Sequence, residues 1–174
     1  MSFSDEPFLF PDEDESAAKV ETGQEDMSIR IERLVSSQPF GVLCTQGQSQ
    51  PYGSLVAYAV TDDLAHLTFA TPRATRKFRL LSECEHVAVV IDNRPDFPGE
   101  LMKIEAITAT GHATLIEDGS EDFERWTKLL TERHSYLSRF VRASSCALFS
   151  IRIVRYIHVC RFQEVRQWIP GSSG

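Results

Sequence analysis

Apolar residues along the middle of this chain fall in short runs divided by turn-forming residues, the pattern of a β-rich protein. Phe40 to Thr45 is predicted to be a first strand, and Gln46-Gly47-Gln48-Ser49 turns it into a second over 50–58. A third strand over 64–70 follows across the tight Thr61-Asp62-Asp63 connection, and His86 to Arg94 reads as another. The long run from Leu101 to Ile116 predicts a strand that Gly111 bends or bulges, and 146–153 and 156–162 predict the last two. Helical periodicity is confined to short stretches. Ile29 to Ser37 places Ile31, Leu34 and Val35 on one side, Ser120 caps a helix that aligns Phe123, Trp126 and Leu130, and a short helix spans 136–141. Many antiparallel strands with few helices predict a mainly β (α+β) protein, a barrel packed by helices and not a doubly wound sheet.

One helix differs from the rest. After the apolar run Leu67 to Ala70 comes Thr71-Pro72-Arg73-Ala74-Thr75-Arg76-Lys77-Phe78-Arg79. Proline suits the first helical position, and Thr71 before it can cap, so the helix is expected to open at Pro72. A helix N-terminus attracts anions, and Thr75, Arg76 and Lys77 add a hydroxyl, a planar fork of donors and a point charge. That set suits a phosphate monoester; a solvated basic helix face is the competing reading.

Charge and composition narrow the options. The net charge of −7 is concentrated in residues 1–26, where nine acids and one lysine give −8 and leave +1 for the rest. A near-neutral body argues against a nucleic-acid partner, and the acidic leader is expected to be disordered. The expected organisation is a leader at 1–26, one domain at 27–170 and a flexible tail at 171–174. No apolar run reaches the length of a membrane span. Cys44, Cys84, Cys146 and Cys160 show no C-x-x-C pair, which predicts free thiols in a reducing cytoplasm. The five histidines lack H-x-x-x-H spacing, so no metal centre is expected, and His158 reads as a packed residue.

From about Pro39 to Trp168 the chain resembles the FMN-binding split-barrel family typified by pyridoxamine 5'-phosphate oxidase. The residues that carry the likeness are Gln50-Pro51-Tyr52 with its strand, and Phe69-Ala70-Thr71 followed by Thr75-Arg76-Lys77. The resemblance implies an antiparallel split β-barrel with flanking helices, FMN as cofactor and a homodimer. It implies Ser54, Leu55, Val56 and Ala57 beside the flavin ring, and Thr71, Thr75, Arg76 and Lys77 around the phosphate. Arg94 lies at a strand end that faces the flavin in such barrels, and Gln163 or Trp168 could reach a neighbouring subunit's flavin. Two departures stand out. Where the oxidases have an arginine and, five residues on, a lysine against the substrate phosphate, this chain has Ser54 and Ala59. The arginine- and tryptophan-rich closing segment is also missing.

The expected function is therefore that of an FMN-binding oxidoreductase acting on a small redox substrate, related to the vitamin B6 oxidase and distinct from it. No side chain stands out as a catalytic acid or base, which fits chemistry carried by the flavin. Three alternatives stay open: a haem-binding or haem-degrading protein, a non-catalytic flavin module, and use of the deazaflavin F420.

Overall fold

The computed structural model describes residues 24–161 and 164–171. The leader apart from the start of the first helix, the position of Gln163 and the end of the tail lie outside the described residues. The chain runs α1 (Gln24–Ser37), β1 (Phe40–Gly47), β2 (Gln50–Val60), β3 (His66–Pro72), α2 (Arg76–Glu83) and β4 (His86–Asp92). It continues through β5 (Glu105–Leu115), α3 (Glu121–Arg133), α4 (Ser138–Val141), β6 (Cys146–Cys160) and β7 (Glu164–Trp168).

All strand pairs are antiparallel, in the order β3-β2-β1-β4-β5-β6-β7. β3 also pairs with β6, from His66 opposite Arg152 to Pro72 opposite Cys146, which closes six strands into a barrel and leaves β7 as an extension. Closure pairs most of the strand edges that an open sheet of this kind would expose, leaving β7 and part of β2 unpaired on one side. The barrel interior is filled by the inward residues of each strand, among them Leu43, Tyr58, Phe69, Val89, Ile107 and Ile151, all fully buried. α1 adds Ile31, Leu34 and Val35 to the same core, as its periodicity predicts, and starts earlier than Ile29 because Met27 is buried with them. Arg133 fastens the end of this helix by donating to the carbonyls of Ser36 (3.1 Å) and Gln38 (2.7 Å). Ser120 caps α3 as expected, accepting from the Phe123 amide at 3.0 Å, and Phe123, Trp126 and Leu130 cover Ala59 and Leu148 on the barrel's outside. No helix among the described residues is long and apolar enough to cross a membrane.

Several expected boundaries move. β1 and β2 meet across a two-residue turn in which Gln48 (φ 51°) and Ser49 (φ 63°) both take left-handed backbone, the geometry that matches strand twist. The start of the expected 101–116 strand is a single 3-10 turn over Leu101–Lys103. The two expected last strands are one, β6, and it carries the bulge: Thr110 faces Arg155 and Gly111 faces Ile153, so Val154 is the extra residue. Gly111 sits opposite that bulge, and only glycine fits there, because a Cβ would lie 2.3 Å from the Arg152 carbonyl oxygen. All four cysteines are free, and burial pushes the thiols of Cys44, Cys146 and Cys160 above the usual range.

Candidate functional site

The barrel has a gap beside the basic helix. β2 pairs with β1 along Gln50 to Ala57, but its pairing with β3 covers only Tyr58 to Val60. Beyond that point β3 turns away to follow β6. Residues 50–57 therefore have no strand partner on one side, and Arg76 and Lys77 of α2 reach toward Tyr52 and Leu55 there.

The helix does not open at Pro72. Pro72 stays extended opposite Cys146, and the Arg73 amide donates to the Ser145 carbonyl (2.8 Å), so the β3–β6 ladder claims the residues that the sequence assigns to a first helical turn. A turn over Arg73-Ala74 follows, and Thr75 is the cap, its hydroxyl accepting from the Phe78 amide at 3.2 Å. The shift places Arg76 and Lys77 in the first turn, where amides are unpaired and the helix dipole is positive. Thr71, buried at the end of β3, sits 3.2 Å from the Thr75 hydroxyl.

The four nearby cations divide into two kinds. Arg73 pairs with Asp118 at 2.8 Å, and Arg79 lies 3.9 Å from Glu83. Arg76 and Lys77 have no carboxylate partner among the described residues. Arg76 lies over the Tyr52 ring, 4.9 Å from its centroid, an arrangement that orients the guanidinium without neutralising it. Lys77 donates to the Leu55 carbonyl across the gap at 3.5 Å, and its half-buried position pushes its pKa down. Leu55 thus turns its backbone toward α2 while its side chain is 65% exposed. Alternation along the strand turns Gly53 the same way. Ser54 has a buried hydroxyl without a partner among the described residues, beside buried Val56.

Sequence reasoning placed Thr71, Thr75, Arg76, Lys77 and the 54–57 strand together, and the fold brings them to one opening. Tyr52 was missed as the platform for Arg76; its position on the strand opposite a basic helix was the available signal. Arg94 and Trp168 lie elsewhere. Arg94 is held by Asp92 at 2.6 Å on an exposed 3-10 turn past β4. Trp168 ends β7, half-buried against the core with its ring 5.8 Å from Tyr156. Ala59 is sealed under α3, so its side-chain position is closed to a ligand. His158 is fully buried and contacts Glu105 at 3.0 Å, as a packed histidine.

Residues 27–160 match the family described as pyridoxamine 5'-phosphate oxidase. The chain belongs to that family. No curated protein matches the sequence. Among solved structures, a haem-binding protein from Mycobacterium smegmatis superposes with a TM-score of 0.72 at 14% identity, over 87% of this chain and 60% of the other. HutZ, the haem storage protein of Vibrio cholerae, gives 0.64 at 15% identity over 82% and 94%. An FAD-binding protein from Mesorhizobium loti gives 0.61 at 16% identity over 75% and 91%. Identities this low establish a shared split-barrel fold, and the neighbours within it bind flavin in one case and haem in others.

Proposed function

We propose that this family member binds FMN in the gap between β2 and α2 and works as an FMN-dependent oxidoreductase. The observation that carries the reading is the donor set: two unpaired cations, two threonine hydroxyls and the first-turn amides of α2 converge beside one open strand edge. Such a set joins two positive charges to the first-turn amides, which suits a phosphate monoester, and no carboxylate pairs with Arg76 or Lys77 among the described residues. Arg76 and Lys77 would hold the phosphate, Thr71 and Thr75 would add neutral hydrogen bonds, and the backbone at 54–57 would border the ring. Bound flavin supplies the hydride or electron transfer; the protein's part is to bind, orient and shield it. Pyridoxamine 5'-phosphate is not the proposed substrate, because Ala59 is enclosed by α3 and offers its phosphate nothing.

The test compares FMN with riboflavin. The protein is expected to take up one FMN per chain and to prefer it, and Arg76→Ala with Lys77→Ala together is expected to abolish the preference. A hydrogen bond to a charged group contributes about 1.5–3 kcal/mol, so the loss is on the order of a hundredfold or more. Equal affinity of the wild type for both flavins would refute the phosphate assignment. Peroxide formed from pyridoxamine 5'-phosphate at about 1 per second or faster would refute the distinction from the oxidase.

Haem is the second reading, supported by the haem-binding neighbours and by the exposed imidazole of His86 at the mouth of a groove of about 740 Å³ on the outer face of the sheet. A Soret band on adding haem, lost in His86→Ala, would favour it over FMN.

A further inference from the structure

Two histidines far apart in sequence meet on the outer face of the sheet. His86 opens β4 and stands directly opposite His112 on β5. Their ring centroids are 4.7 Å apart, at an interplanar angle of 57°. Glu85 directly precedes His86, and its carboxylate lies 3.6 Å from Nδ1 of His112. The backbone fixes this corner, since the Ala113 amide donates to the Glu85 carbonyl at 2.8 Å. One ligand atom from each of the three side chains lies within 4.8 Å of the other two.

We propose that Glu85, His86 and His112 form a binding site for a divalent transition-metal ion of the zinc, nickel or copper class. Two imidazoles and one carboxylate suit these borderline ions, whereas calcium and magnesium require oxygen ligands. Bonds of about 2.0–2.1 Å bring ligand atoms to roughly 3.3–4.2 Å from one another. The present spacing reaches that range by rotation of Glu85 and His86, both exposed, with no movement of the strands. The contact between His112 and Glu85 alone contributes little to stability and leaves the close approach of the His86 ring to His112 unexplained. Cys84 stands outside the set, its thiol 3.6 Å from the Gln46 amide nitrogen. The two rings project from one sheet face and so address the same side of an ion, which fits a compact cation better than the two faces of a haem. Three protein ligands would leave a position open, and His86 and His112 both line the groove that also holds Thr108, Thr110 and Arg155.

The site stands apart from the α2 cradle and does not rest on the flavin reading. The other histidines serve as internal controls: His134 bonds the Tyr58 carbonyl, His158 bonds Glu105 and His66 packs on Trp126. The experiment titrates the full chain with Zn²⁺, following heat and the imidazole NMR signals. One ion per chain is expected, with shifts at His86 and His112 and none at the three controls. His86→Ala and His112→Ala are each expected to weaken binding at least tenfold, with melting temperature kept near wild type as the check of folding. Absence of binding at about 1 mM Zn²⁺, the weakest affinity of interest, would overturn the proposal. So would shifts confined to the cysteines, or equal affinity in the variants. Should a variant fail to fold, the imidazole shifts in the wild type decide alone.

Discussion

Lys77 is the residue on which burial and charge pull in opposite directions. Its ammonium bridges the gap to Leu55, half-buried, and desolvation favours the neutral amine, so it gives up its proton at a lower pH than an exposed lysine. The protonated form is the one that binds phosphate. FMN affinity is therefore expected to fall as pH rises toward the ordinary lysine value of about 10.4, and to do so at a lower pH than for an exposed lysine. Lys77→Arg, which stays charged throughout, is expected to flatten that dependence; fluorescence titration with FMN across the range checks it. An identical pH profile in both proteins would mean that Lys77 does not contact the phosphate. Arg76, by contrast, is oriented by the Tyr52 ring below it.

At the scale of elements, the bulge where β5 meets β6 is the feature most exposed to a single change. Gly111 has the Arg152 carbonyl oxygen and Ile151 Cγ2 within 2.9 Å of where a Cβ would stand, and the nearer contact is backbone, which cannot swing aside. Gly111→Ala is expected to cost about 1–3 kcal/mol, read as a lower midpoint in chemical denaturation. An unchanged midpoint would show that β6 can slip past its bulge. Such local rules were legible in the sequence where one segment decided its own fate. Ser120 and the Phe123–Trp126–Leu130 face gave α3, and Gly111 marked the place of the bulge, though the extra residue proved to be Val154 on the neighbouring strand. The basic cradle was legible for the same reason, since Thr75, Arg76 and Lys77 are contiguous. Pro72 was misread because its partner, Cys146, is remote in the chain and a strand ladder overrode a favourable helix start. The continuity of β6 through Val154 and Arg155, and the meeting of His86 with His112, likewise depend on register, which no local pattern carries.

At the scale of the whole molecule, the barrel covers one side of its sheet and leaves the other open. The outer face of β1, β4, β5 and β6 presents Cys44, Ala88, Thr108, Thr110 and Ile157 around the groove, and the strands that flank these four in the sheet, β2 and β7, carry exposed Leu55 and Val165. The apolar and small polar side chains of this face suit a second copy of the chain better than water, with His86, His112 and Arg155 as its polar members. A homodimer is the expected state, checked by light scattering or sedimentation with FMN present. A monomer that holds FMN fully would contradict it.

The unpaired stretch of β2 has one more consequence. Here the barrel is a laced cylinder with one seam left undone, and whatever seats its polar edge against Gly53 and Leu55 stands in for the missing strand. A flavin ring in that place would be a fastener as well as a reagent. Amide exchange at Gly53 and Leu55 is then expected to slow when FMN is added, while Val56, already tied to β1 opposite Gly41, changes little. Riboflavin at saturation would close the seam as well as FMN does, because the lacing belongs to the ring and the phosphate only brings it there. Protection confined to Arg76 and Lys77 would mean that the ligand hangs from its phosphate and the seam stays open.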